Sequence, residues 1–220
     1  VSWPTWNQAA VVVVLALLVA HVLRRHRSDS ARCSGVATAC QEFAFMAGVY
    51  SIWRIARQLP LTRVDGAFAR ARRIVEMQEA LHLPSELSMQ QLVIDNDWLS
   101  RVTTGYYAGA HVPALVAFLV WLYVRHREDY PHWRNALVLV TAACLVIRFV
   151  RVAPPRFLPD LGYVDLSLRY GLDVYGSVDK GVSDQFAAMP SIHVAWAAIV
   201  SLGVFTVCTA WWRWLFFGHL

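Results

Sequence analysis

Three arginines, Arg148, Arg151 and Arg156, fall within nine residues of one another. A guanidinium is a planar fork of N–H donors that matches phosphate oxygens two at a time, so this cluster reads as a phosphate cradle. Arg148 and Arg151 share a face if a helix continues through them. Arg156 follows the pair Pro154-Pro155, which stiffens the backbone and fixes where the side chain can reach. Arg151 keeps a second reading, an arginine snorkelling from a membrane helix to the headgroups. After a long polar segment comes Asp184-Gln185-Phe186-Ala187-Ala188-Met189-Pro190-Ser191-Ile192-His193, and then an apolar run. Pro190 suits the first turn of a helix and Ser191 suits its cap. A helix beginning there offers backbone N–H groups and a positive dipole end to an anion. His193, in the first turn, is placed to give a proton to a leaving alkoxide.

Other polar residues are weaker candidates. His111 lies one turn from Tyr106 and Tyr107 in an apolar stretch, where ionisable groups attract functional readings. Contact with a substrate headgroup and an interhelical hydrogen bond are the two readings, and Glu42 has the same pair. Asp95 and Asp97 read as a solvated face, and His21 and His26 as interfacial. The four cysteines form no metal pattern and read as packing. Neither a metal nor a cofactor is expected.

The elements that must position these residues are membrane helices. Hydrophobic residues make up 57% of the 220 residues and charged ones 16%, well away from an ordinary soluble domain. The apolar residues sit in blocks, Trp6–Leu23, Val36–Ile55, Val102–Val124, Asn135–Ala153 and Ile192–Trp212, each near the ~20 residues that cross a bilayer. The fold class expected is all-α, a polytopic membrane helix bundle with about five membrane segments. Residues 1–57 form N-terminal membrane segments, 58–99 a polar, amphipathic interfacial region, and 100–220 a membrane core with the loop 154–190. Within 58–99, the pattern Gly66–Leu83 predicts a helix lying on the membrane surface or docked on the bundle. Pro84-Ser85-Glu86 marks a break and a fresh helix start.

The net charge is +5, but the arginines flank apolar blocks, and no basic stripe with interleaved aromatics points to nucleic acid. Placing Arg24–Arg27 and Arg125–Arg134 in the cytoplasm puts the loop 154–190 outside. Gln58–Leu99 then faces outward too, against the positive-inside rule, because it holds Arg63, Arg70, Arg72 and Arg73.

The strings APPRFLPDLGYVD and DQFAAMPSIHVAWA, with Tyr106-Tyr107-Ala-Gly-Ala-His111 upstream, resemble the bacterial inositol phosphorylceramide synthase-like branch of the type 2 phosphatidic acid phosphatase superfamily. The resemblance covers about Gly66 to Trp212. It implies a bundle of about six membrane helices, with an arginine-rich first motif that holds phosphate and a second-motif histidine that acts as general acid. Carried over, Arg156 with Arg151 or Arg148 matches the first motif, and Ser191 and His193 match the second. The first match is looser, because the superfamily's upstream lysine and Arg-Pro order are missing. The third motif, H-x-x-x-D, which supplies the nucleophilic histidine and its aspartate, does not occur after His193. One expectation is a chain continuing past Leu220 into a further helix that carries it; the other is a homologue that binds lipid phosphate without turning it over.

The function expected is therefore phosphoryl transfer from, or hydrolysis of, a lipid phosphate or phosphodiester at the outer face of a bacterial plasma membrane. The alternative is a non-catalytic, lipid-binding accessory subunit with membrane-protein partners. A transporter fits poorly, because no inverted repeat appears and the motifs gather at one face.

Overall fold

The computed structural model describes residues 4–25, 31–58, 65–165, 186 and 188–219. The described residues are helical or irregular and hold no strand, so the fold is all-α. Two compact units divide the chain, Val1–Pro60 and Leu61–Leu220.

The first unit is a hairpin of α1 (Trp6–Arg25) and α2 (Ala31–Arg57). Its seam is made of small residues, Ala9 and Ala20 on α1 and Ala37 and Ala44 on α2, all buried. Small side chains let helix backbones approach closely, the device that joins helices in lipid. Arg24 Nη2 donates to Gln41 Oε1 at 2.6 Å near one end, and Tyr50 Oη donates to the Pro4 carbonyl at 2.8 Å near the other. Away from the seam, Val11, Val14, Leu15 and Leu18 of α1 are exposed.

The second unit contains α3 (Ala67–Ala80), α4 (Glu86–Ile94), α5 (Asp97–Gly109), α6 (His111–Arg125), α7 (Tyr130–Ile147) and α8 (Ile192–Val207). Ser85 caps α4 by accepting from the Ser88 amide, at the break that Pro84-Ser85-Glu86 anticipates, and Asn96 caps α5 by accepting from Trp98 and Leu99. The docked face of α3 is Ala67, Ala71 and Ile74, which pack against the loop after α7. Met77 and Leu81 face outward.

Three apolar blocks differ from their sequence outlines. Val102–Val124 is not one straight helix, because α5 and α6 meet at a bend of 51°. Pro113 is the cause: it lacks an amide hydrogen and its ring crowds the carbonyl four residues back, at Gly109. The fourth block ends as a helix at Ile147, and Phe149 and Val150 make turn bonds to Val146 and Ile147. Arg148 and Arg151 therefore do not share the face of a continuing helix. The fifth ends at Val207, and Trp211–His219 returns along α8 as a 3₁₀ helix, with Ser201 Oγ donating to the Phe216 carbonyl at 2.6 Å.

Among the described residues, α1 is the one helix long and apolar enough to cross a membrane, and α5 with α6 passes the same test as a bent pair. The apolar helix α8 is shorter. It packs on α6 and α7 with Gly203 facing Phe118 and Trp133; a Cβ there would lie 2.3 Å from Phe118 Cζ. The indole of Trp196 donates to Thr141 Oγ1 of α7 at 3.0 Å.

Candidate active site

The loop's two ends meet. The Val152 amide donates to the Phe186 carbonyl at 2.9 Å, and the Ala188 amide donates to the Val152 carbonyl at 3.4 Å. Arg151 precedes this bridge on one strand of chain, and Ser191 and His193 follow it on the other. The remainder of the loop, 166–185, with Asp173, Asp179, Asp184 and Gln185, lies outside the described residues, as do Arg27, Arg63 and His26.

Helix α3 supports the bridge from its other side. The Ala153 amide donates to the Ala67 carbonyl at 3.2 Å, and Arg70 Nε donates to the Arg151 carbonyl at 2.6 Å. Beneath it lies a core of Ala67, Ala71, Val152, Ala153, Leu158, Tyr163 and Phe186. Phe186 is its keystone, with the rings of Phe68 and Phe157 at 5.7 and 5.5 Å. The polypeptide after Arg156 makes two short 3₁₀ turns and reverses at Gly162, whose φ of 88° is in the left-handed region that glycine enters freely. Gln90 of α4 then pairs with Val164 in both directions, its Nε2 donating to the carbonyl at 2.7 Å and its Oε1 accepting from the amide at 3.0 Å. Arg72 and Asp160 form an exposed ion pair of 2.7 Å. That hydrogen bond and charge hold the Asp160 carboxyl below its usual range.

Arg148, Arg151, Arg156, Ser191, His193, Tyr106 and His111 all lie in the second unit, whereas Glu42 lies on α2 of the first. Arg148 caps α7 and Arg151 follows it closely; both are buried, at 7% and 5% exposure, and their charges lie within electrostatic range of each other. A buried guanidinium is the kind of donor that suits a tetrahedral anion. Arg156 is directed to Asp165 at 3.3 Å, with its guanidinium over the Phe157 ring. Ser191 is the N-cap of α8, its Oγ accepting from the Val194 amide at 3.4 Å. Pro190 stands before that cap, outside the helix, and not in its first turn as the sequence pattern suggests. A serine cap in an extended conformation must be preceded by non-helical chain.

His193 projects from the first turn of α8 into a group of rings. Tyr107 Oη lies 3.1 Å from His193 Nδ1. The His111 ring stands 5.6 Å from His193, 5.9 Å from Tyr106 and 5.7 Å from Tyr107. His219 joins from the C-terminal 3₁₀ helix, 5.3 Å from His111 and hydrogen-bonded through Nδ1 to Tyr106 Oη. His111 thus stands beside His193, while Tyr106 stands beside His111 and His219. Spacing in the sequence pairs Tyr107 with His111 and says nothing of its bond to His193. His219 and Arg70 were likewise not legible as partners of the site, because their contacts join segments far apart in the chain. Among the described residues no group of histidines, cysteines and carboxylates is arranged to hold a metal ion.

Residues 72–220 match the family model of the PAP2 superfamily. Neither a curated protein nor a solved structure matches the chain. The family match spans more than half of the chain and includes α5, both ends of the loop and the whole of α8. On that match, and with both motif segments inside it, the chain belongs to the PAP2 superfamily.

Proposed function

We propose that this chain transfers or hydrolyses the phosphoryl group of a lipid phosphate or phosphodiester, with Arg148, Arg151 and Arg156 holding the phosphate and His193 protonating the leaving oxygen. Membership of the superfamily supports phosphatase-type chemistry on lipid phosphates in general. The observation that carries the finer reading is the Val152–Phe186 and Ala188–Val152 bridge. It roots the arginine segment and the histidine segment at one place, so anion binding and proton donation serve the same group. A bound phosphoryl oxygen there meets cationic forks, the amides that open α8 and the Ser191 hydroxyl.

The preferred substrate is an inositol-bearing phosphodiester or a related lipid phosphate, in line with the resemblance of the two loop-end strings to inositolphosphotransferases. The setting is a bacterial plasma membrane, with the site at the outer face. The exposed apolar side of α1 supports a hydrocarbon environment, since water would leave Val11, Leu15 and Leu18 uncovered.

The full chain, purified in mixed micelles, is tested with phosphatidic acid and with phosphatidylinositol, following free phosphate and inositol phosphate. Turnover lost about 10²–10⁴-fold in His193→Ala, with lipid binding retained, is the expected result for a general acid. Binding without turnover in the folded wild-type chain would favour the accessory-subunit reading.

A further inference from the structure

We infer that His111 and His219 form a subsite that takes a free hydroxyl of a polyol headgroup, one ring beyond His193; this rests on the proposed binding of the lipid phosphate beside His193. His111 opens α6 just past the 51° bend, and its ring lies 5.6 Å from His193 and 5.3 Å from His219. His219 comes from a distant part of the chain and is held in place by more than its own contacts. Ser201 Oγ of α8 donates to the Phe216 carbonyl at 2.6 Å, and the Phe205 ring of α8 packs against Trp214 and Phe217 at 5.0 and 5.1 Å. The 3₁₀ helix is thereby pinned along α8. His219, its last residue, is buried at 9% exposure, with Nδ1 bonded to Tyr106 Oη.

Two ring nitrogens of this pair, Nδ1 of His111 and Nε2 of His219, are buried without a hydrogen-bond partner among the described residues. Buried polar atoms are nearly always paired, and leaving one bare costs stability, so the pair marks a place for a polar ligand. The chemistry of imidazole limits what that ligand is. A neutral ring offers one N–H donor and one bare acceptor nitrogen. At His219 the bond to Tyr106 has two directions: a donating tyrosine hydroxyl leaves Nε2 as a donor, and a donating Nδ1–H leaves it as an acceptor. A ligand atom that both donates and accepts satisfies the two nitrogens in either state, and a hydroxyl oxygen does so. A phosphate oxygen only accepts, an ammonium only donates, and a hydrocarbon chain does neither. A polyol headgroup carries further hydroxyls on the carbons next to its ester oxygen. With the phosphate at His193, those hydroxyls fall toward the adjoining rings of His111 and His219.

The probes are dioctanoyl phosphatidylinositol and dioctanoyl phosphatidylpropanol, diesters of equal charge of which only the first has headgroup hydroxyls. Binding to the full chain in mixed micelles is followed by tryptophan fluorescence. Wild type is expected to bind phosphatidylinositol about tenfold more tightly, roughly the worth of one net hydrogen bond. His219→Phe keeps an aromatic ring and removes both nitrogens. It should bring the two lipids to one affinity, with phosphatidylpropanol bound as in wild type. His111→Phe gives the same readout from another helix, so the inference stands or falls even where one variant does not fold. Equal affinities in wild type, whether or not free myo-inositol binds by itself, overturn the inference, as does a preference retained in both variants; a bound water, not a headgroup, would then serve the two nitrogens. Phosphatidylpropanol bound without any preference for phosphatidylinositol removes the subsite alone. A wild-type chain that binds neither lipid removes the lipid-phosphate reading, and the subsite falls with it.

Discussion

Arg70 Nε donates to the carbonyl of Arg151 at 2.6 Å, so an arginine on α3 fixes the backbone from which a proposed phosphate-binding arginine projects. The short helices between the two apolar halves of the chain are therefore part of the site's framework. Arg70 acts on the main chain and leaves the Arg151 guanidinium to its own contacts. A replacement at either position thus tests a different thing.

Arg151→Lys retains the charge and loses the planar fork. Because the native side chain is buried at 5% exposure, a flexible ammonium has little room to recover the lost bonds. We expect KM for a lipid phosphate to rise about tenfold, with the fold retained, as measured by initial rates and thermal melting of the same preparation. Equal KM values for the two proteins would remove Arg151 from the phosphate cradle.

Phe186→Ala takes the central ring from the core under the loop bridge. Buried phenylalanines of this kind cost about 3–5 kcal/mol when cut to alanine. The loss should fall on the loop root, leaving the helices less affected. The expected signature is faster amide exchange at Val152 and Ala153, with turnover reduced in step. Protected amides and full turnover in the variant would show that the two loop ends hold together without this ring.

The Arg72–Asp160 pair gives a pH dependence with a definite sign. Its folded carboxyl titrates below the ordinary range, chiefly through the Arg72 hydrogen bond. Such a group adds stability above about pH 4, where the unfolded carboxylate is ionised, and the addition is lost as pH falls through the lower folded value. The pair is exposed, so the effect is small and salt screens it. In wild type, exchange at the loop root should quicken on acidification below about pH 4, and Asp160→Asn should remove that part of the dependence. An identical acid response in the two proteins would show that the pair does not fasten the loop.

Gly203→Ala should destabilise the packing of α8 on α6 and α7. The added methyl would lie 2.3 Å from Phe118 Cζ, and Phe118 is itself buried. Overpacking of this sort costs typically about 1–3 kcal/mol. Combined with Phe118→Ala, the cost should be less than the sum of the two changes, because the cavity accepts the methyl. Strict additivity in thermal or denaturant melts would place the glycine elsewhere than against this ring.

What could be read from the sequence was local. The helix start at Ser191, the break at Pro84-Ser85-Glu86 and the all-α class follow from caps, prolines and apolar blocks. The bend before Pro113 was equally open to inspection, but the block Val102–Val124 is so evenly apolar that composition outweighed the proline. The docked face of α3 is not marked by its larger apolar residues. Alanines score weakly as apolar, yet Ala67 and Ala71 are the residues small enough to let the loop backbone approach. At the site, the residue types were legible because arginines and a capped histidine are chemically distinctive. The pairings Tyr107–His193, Arg156–Asp165 and Arg70–Arg151 were not, since nothing in one-dimensional spacing encodes a contact between segments far apart in the chain.

The amide of Gln90 meets the backbone of Val164 as one peptide group meets another across a ladder. An amide neither titrates nor carries net charge. This fastening is consequently indifferent to acidity and to ionic strength. Compared with the Arg72–Asp160 pair on the same segment, it is the tie whose strength does not follow the surrounding charge, so it persists where that pair is protonated or screened.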